Sequence, residues 1–292
     1  MKEIVVISGK GGTGKTSLAA SLAFLLGEEA VIADCDVDAA DMHLLLSPDF
    51  GYSEDFYSGQ MAIIDNEACT SCGLCIEKCR FDAIENEGSR YFIEPIDCEG
   101  CGYCARICPV DAISMKDQYA GQFFISDTRI NNILVHAKLA AGAENSGKLV
   151  AKVKNEARNI AEQKNKKYVI ADGSPGIGCP VISSLSGADF VIIVTEPSVS
   201  GIHDMKRVYE LVRKFDIKAS CIINKHDLNP EITARIKDFL ESESIVHLCN
   251  IPYDDAFTDA IIRGQTIMEN GHTVLVKMIE KAWNIVSTNI ND

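Results

Sequence analysis

Tryptophan occurs once, histidine six times and proline eight times in the 292 residues, and no run of 18 uninterrupted apolar residues appears. The lack of such a run excludes an apolar membrane span, so no stable membrane insertion is expected. A surplus of positive charge is missing too: 28 Lys and Arg stand against 42 Asp and Glu, a net charge of −14. That balance repels phosphate backbones and anionic lipid, so nucleic acid is not an expected partner. The opening MKEIVVISGK places a lone lysine before a short apolar run that ends in Gly-rich sequence. This is not the layout of a secretory signal, and a cytoplasmic location is the expectation. With 47% hydrophobic and 24% charged residues, the composition is that of an ordinary globular chain long enough for about two domains.

Cysteine is plentiful, with twelve residues. Eight fall in two tight groups, and Cys35, Cys179, Cys221 and Cys249 are scattered, a distribution that suits metal in a reducing compartment rather than a disulfide framework. CTSCGLCIEKCRFDAI from Cys69 and CEGCGYCARICPVDAI from Cys98 share one spacing and one Asp-Ala-Ile ending, so a short unit recurs after 29 residues. Each copy is spaced C-x2-C-x2-C-x3-C, a run that wraps three thiolates round an iron–sulfur cubane while the fourth faces away. Eight thiolates at four per cluster serve two [4Fe–4S] clusters; zinc in tetrahedral thiolate sites is the competing occupant. Cys179 reads as a small buried packing residue, and Cys221 and Cys249, in apolar runs, read as core.

Wholly apolar runs at 3–8, 30–34, 168–172, 190–195, 217–224 and 245–250 predict strands buried on both faces. Helix-like segments at 15–26, 146–164, 201–215 and 230–241 alternate with them, and a last one covers about 273–286. The alternation predicts an α/β fold with a mostly parallel sheet, right-handed crossovers and helices on both faces. Its rhythm fails where the cysteines lie, so an inserted domain at 59–116 is expected to interrupt a larger one made of 1–58 and 117–292, with stems near Tyr57 and Asp117.

Gly9-Lys10-Gly11-Gly12-Thr13-Gly14-Lys15-Thr16 satisfies G-x-x-x-x-G-K-[ST] between the first apolar run and a helical pattern. Its glycines let backbone N–H groups curl round phosphate oxygens, the helix N-terminus adds positive potential, and Lys15 offers a charge to the β and γ phosphates. Thr16 can ligate magnesium, and Ser17 belongs to the same candidate phosphate site. Asp172 ends a strand-like run in Asp172-Gly173-Ser174-Pro175-Gly176, placing a carboxylate to hold the magnesium hydration shell and a glycine N–H, that of Gly176, to face the γ phosphate.

The second lysine of the loop, Lys10, gives K-G-G-T-G-K-T, and here the sequence resembles the deviant Walker A ATPases of the MinD superfamily. In that group the matching lysine reaches across a nucleotide-sandwich homodimer, which implies ATP and Mg2+ as ligands and a homodimer as the working form. Asp34-Cys35-Asp36-Val37-Asp38 resembles the switch I segment, with Asp36 in the place of the water-activating or magnesium-sensing carboxylate; a turn with helix caps is the plainer reading. Asn224-Lys225 and Ile251-Pro252-Tyr253-Asp254 resemble the adenine-side loops, which implies base contacts from Asn224 and Pro252; ordinary strand-end turns are the alternative. Gly121, the 144–148 run and Thr195-Glu196-Pro197-Ser198 also fit the group.

The insert resembles the bacterial two-cluster ferredoxins. Their crossed ligation implies Cys69, Cys72, Cys75 and Cys108 on one cluster, and Cys98, Cys101, Cys104 and Cys79 on the other. Arg80 stands where the first repeat would carry proline; it is either a cation that tunes the neighbouring cluster or a solvated surface residue. Both resemblances together imply an ATPase, with Lys10, Lys15 and Asp36 as catalytic residues, that couples nucleotide state to electron transfer with a redox partner protein. An iron–sulfur carrier or assembly ATPase is the alternative, though the C-terminal C-x-x-C or C-P-x-C pair that such carriers use is missing. A MinD-like spatial organiser is a second, and there the apolar spacing over 274–290 reads as a core-packing helix rather than a membrane anchor.

Overall fold

The computed structural model describes residues 1–143 and 145–290; Glu144 of the 144–148 run and the terminal Asn291-Asp292 lie outside the described residues. Eleven strands are laid down among them: β1 (Lys2–Ile7), β2 (Ala30–Asp34), β3 (Tyr52–Ile64), β4 (Ile84–Glu87), β5 (Arg90–Ile93), β6 (Ile113–Asp127), β7 (Ile133–Leu139), β8 (Tyr168–Asp172), β9 (Phe190–Thr195), β10 (Lys218–Ile223) and β11 (Val246–Asn250). The main sheet runs in the order β11-β10-β9-β1-β8-β2-β7-β6-β3. From β11 to β7 every pairing is parallel.

Ile4, Val5, Val6 and Ile7 are all fully buried, and since successive side chains point to opposite faces, both faces of β1 are covered. One face packs its Ile4, Val6, Ile32, Ile170 and Ile192 into a core shared with the helices Lys15–Leu26 and Thr273–Asn289. On the opposite face lie the helices Ser146–Gln163, against β2 and β8, and Val199–Lys214, against β9 and β10. Thr273–Asn289 buries Leu275, Ile279, Ala282 and Val286 in that core. Among the described residues no helix is long and apolar enough to cross a membrane.

The chain divides into two compact units, one of Met1–Glu54, Phe123–Lys138 and Ser146–Asp292, the other of Asp55–Gln122 and Leu139–Asn145. The second is longer at both ends than the expected insert, because β3 and β6 continue as strands past residues 58 and 117, and it takes in a further segment after β7. In it β4 and β5 form an antiparallel pair, and the one-turn helices Leu74–Lys78 and Tyr103–Ile107 follow the first cysteines of each repeat. The repeat extends to the backbone: φ is positive at Ser71, Gly73 and Asp82 and again, 29 residues on, at Gly100, Gly102 and Asp111.

Candidate functional site

The strand register assembles the first site. Val6 and Asp34 both pair with Asp172, and Ile223 pairs with Thr195, so the carboxyl ends of β1, β2, β8, β9 and β10 finish level. Parallel sheets bind ligands at that edge. The loop 9–14 leaves β1 there and enters the helix Lys15–Leu26 through Gly14, whose φ of 90° is left-handed. The backbone requires glycine there, and a β-carbon on Gly14 would also lie 2.4 Å from Asn224 Nδ2 and displace that side chain. Asn224 Nδ2 donates to the Thr13 carbonyl at 2.8 Å and Lys225 Nζ to that of Gly12 at 2.9 Å. The Thr13 hydroxyl is buried with no hydrogen-bond partner among the described residues, an open donor in a loop that Ser17 and the helix N-terminus continue.

Beneath the loop one buried ammonium meets several carboxylates. Lys15 Nζ lies 2.7 Å from Asp172 Oδ1 and 3.3 Å from Asp36 Oδ2, and the Thr16 hydroxyl donates to Asp172 Oδ2 at 2.7 Å. Burial works to lower the Lys15 pKa, but the charges of Asp172 and Asp36 outweigh it and hold the group above the ordinary lysine value. Burial pushes Asp34 well above the usual carboxylate range, with the Asp172 charge adding to it, and burial likewise raises Asp36 against the pull of Lys15. With Asp36 and Asp172 both paired to Lys15, the pocket lacks one positive charge even before a phosphate enters. A divalent cation supplies that deficit, and magnesium at phosphate sites takes only one or two protein carboxylates, so this donor set fits it.

Lys10 is held within its own chain. Its Nζ lies 2.6 Å from Glu196 Oε1 and donates to Ser198 and Ser200 Oγ at 2.9 and 3.0 Å. Glu196 also takes Lys225 Nζ at 2.9 Å on its other oxygen. Burial raises the Glu196 pKa, but the hydrogen bonds from Lys10 and Lys225 prevail and hold it below the usual range. Glu196 and Lys225 were legible only as parts of short family-like segments; their meeting at the loop depends on β9 and β10 pairing. The Gly176 N–H, expected to face a γ phosphate, donates instead to the Ser8 carbonyl at 2.9 Å, because the segment after β8 folds back on the end of β1. Ile251 N–H donates to the Ile223 carbonyl at 2.9 Å, which sets the loop carrying Pro252 beside Asn224.

In the second unit the eight cysteines of the repeats are free thiols around two cavities. Cys98, Cys101, Cys104 and Cys79 line one of about 510 Å³, with Arg80 and Lys78 in its wall. Cys69, Cys72, Cys75 and Cys108 line the other, which encloses about 20 Å³ between side chains that include Ile64, Tyr91 and Ile113. Each cavity takes three thiols from one repeat and the fourth from the other. Ser71 N–H donates to Cys69 Sγ at 3.4 Å and Ala112 N–H to Cys108 Sγ at 3.2 Å. Burial raises the Cys75 and Cys104 thiols, and their neighbouring cysteines add to it. Among the described residues no three His, Cys, Asp or Glu side chains close round a single ion. The thiols line walls, as ligands of a larger inorganic group do, and this donor set fits a cubane; in the narrower cavity the apolar walls must part to admit one.

Of the scattered cysteines, Cys35 and Cys221 are buried and Cys249 is half-buried. Cys179 is exposed, contrary to the packing role expected of it, because it is the first residue of the helix Cys179–Leu185, which buries Val181, Ser184 and Leu185 instead.

The profile of the family described as the CobQ/CobB/MinD/ParA nucleotide binding domain matches residues 4–267. The uncharacterized protein MJ0578 of Methanocaldococcus jannaschii is 36% identical over 234 residues, 78% of this chain and 79% of its own. The septum site-determining protein MinD of Pyrococcus horikoshii, solved with Mg-ADP, is similar in fold at a TM-score of 0.56 and 18% identity, over 96% of this chain and 95% of that one. A complex of Cyanothece McdA(D38A) with ATP gives 0.59 at 17% identity, over 98% and 96%.

Proposed function

The chain belongs to the CobQ/CobB/MinD/ParA nucleotide-binding family, and we propose that it is an ATPase whose nucleotide state is coupled to electron transfer through two [4Fe–4S] clusters. The observation that carries the redox half is the crossed lining of the two cavities, four thiols each, three from one repeat and one from the other. The nucleotide half is supported by the open Thr13 hydroxyl and by the charge deficit round Lys15.

In this reading the loop 9–17 binds the phosphates, with Lys15 leaving Asp172 for the β and γ oxygens. Thr16 and Asp172 hold Mg2+, directly or through its water. Asp36 orients the attacking water, and Asn224 and Pro252 flank the base. Lys10 gives up Glu196, Ser198 and Ser200 to reach the nucleotide of a second copy, and Lys10 and Lys15 together offset the charge of the transition state. A bound cubane supplies one-electron storage. The route between the halves is covalent: the chain leaves the nucleotide-binding unit along β3, after Asp36, and returns along β6, before β8. The electron goes to or comes from a redox partner protein.

A spatial-organiser role shares the family and the ATP site, but the burial of Leu275, Ile279, Ala282 and Val286 leaves the last helix a core element rather than a free amphipathic anchor. Anaerobic purification with iron and sulfide analysis, followed by EPR with and without MgATP, tests the proposal. Two cubanes per chain and a nucleotide-dependent spectrum or midpoint are expected. Zinc or no metal at the eight thiols defeats the redox half, and spectra and midpoints indifferent to MgATP defeat the coupling.

A further inference from the structure

The 29-residue repeat allows the two thiol cavities to be compared position by position, and their walls differ in charge. Arg80 lines the cavity of Cys79, Cys98, Cys101 and Cys104, where the matching residue of the other cavity is Pro109. Lys78 also lines the first, and Glu99 stands there where Thr70 lines the second. The second cavity has no charged side chain in its wall. Resting on the two-cluster reading above, we infer that Arg80 makes the clusters inequivalent, so that the first electron taken up settles at Cys79, Cys98, Cys101 and Cys104.

Reduction adds one negative charge to a centre already surrounded by four thiolates. A wall that brings a cation, or admits water, stabilises the added charge, whereas a closed apolar wall opposes it. The first cavity, of about 510 Å³, brings the cation; the second, of about 20 Å³, brings none. Arg80 follows the ligand Cys79 in sequence and makes no ion pair among the described residues, so its charge is not already spent. Both side chains are exposed, but Lys78 is also paired with Glu77 at 2.7 Å and so counts for less.

Two features act the other way. Glu99 follows Cys98 and offsets part of the positive charge. The N–H groups of Ser71 and Ala112 on Cys69 and Cys108 favour reduction of the second centre. They are dipoles rather than whole charges, and part of the backbone contribution is common to both sites, where Ile76 and Ala105 N–H groups reach Cys75 and Cys104. The charged lining of the first cavity, Lys78 and Arg80 against Glu99, still sums to one positive charge where the second has none, and a whole charge outweighs such dipoles.

The test is an anaerobic redox titration of the full-length protein, with dithionite as the one-electron donor and EPR detection, after iron and sulfide counts. The native chain is expected to show two separated midpoints. Arg80→Gln should make reduction of the higher-potential cluster about tenfold less favourable, a shift of ~59 mV for one electron, and leave the lower one in place. Arg80→Lys should retain most of the native value, and Pro109→Arg should raise the lower midpoint. Two cubanes with midpoints indifferent to Arg80→Gln, or a shift confined to the lower one, overturn the inference while leaving the two-cluster reading intact. Fewer than two cubanes in the native chain overturns that reading itself.

Discussion

The Lys10 ammonium sits 2.6 Å from the Glu196 carboxylate, across 186 positions of sequence. Two strands at the centre of the sheet make this contact: β1 leads into the loop that carries Lys10, and its neighbour β9 ends one residue before Glu196. The charge that the proposed dimer would use across its interface is thus held within its own chain. Glu196→Gln removes the ionic part of this tie and is expected to lower several-fold the protein concentration at which MgATP produces dimers. Sedimentation velocity over a concentration series measures it; an unchanged midpoint would show that Glu196 does not restrain Lys10.

Lys15 is the buried cation nearest Asp172, which has no solvent exposure. Lys15→Ala leaves that carboxylate facing Asp36 and Asp34 unpaired and should cost about 3–5 kcal/mol of stability, beyond abolishing nucleotide binding. Urea unfolding in magnesium-free buffer gives the number. Adding Asp172→Asn to the same chain should recover a good part of the loss, and failure to recover any would place the cost elsewhere.

His136 is buried, stacks on Phe124 at 5.0 Å and shares a 3.0 Å hydrogen bond with Ser126 Oγ. Burial, with a smaller effect from His43, lowers its pKa from 6.5 to about 4. Between those values the unfolded chain binds the proton that the folded chain rejects. The contribution of His136 is therefore present above pH ~6.5 and lost as the pH falls toward about 4, by roughly 3 kcal/mol in total. Comparing stability against pH for the native chain and His136→Gln isolates this slope; parallel curves through that window would refute it.

Gly100 and Ser71 occupy equivalent places in the two repeats, with φ of 64° and 56°. Only Gly100 is crowded: a β-carbon there would lie 2.0 Å from the Gln60 carbonyl oxygen. Gly100→Ala should disturb the loop of Cys98, Cys101 and Cys104 and lose up to half of the bound iron. Ser71→Gly should keep all of it. Full iron and sulfide content in Gly100→Ala would contradict the close approach.

Of the strands legible as apolar runs, β1, β2, β8 and β9 and most of β10 are buried on both faces. In contrast β11, expected to be so, is a largely half-buried edge strand because only one neighbour covers it, and the buried β7 was not among the expected runs. β3 and much of β6 remain exposed, so their sequences carry no comparable run. Cys179 was misread for a related reason: a small residue after a strand gives no sign of whether its helix will turn it inward. Glu196 and Lys225 escaped assignment to the loop because ion pairing between distant residues leaves no periodic trace.

By itself the sequence determined the phosphate loop, the spacing of the thiols, and the alternation that makes a parallel α/β sheet. Each of these is a local pattern, fixed by backbone sterics and burial over a few turns of chain. Only the tertiary structure decided that Lys10 rests on Glu196, that Asp36 and Asp172 share one lysine, and that the cavity bearing Arg80 is charged while its twin is lined without charge. Those relationships depend on strand register and on loops meeting across the fold, where a shift of one residue would exchange the partners.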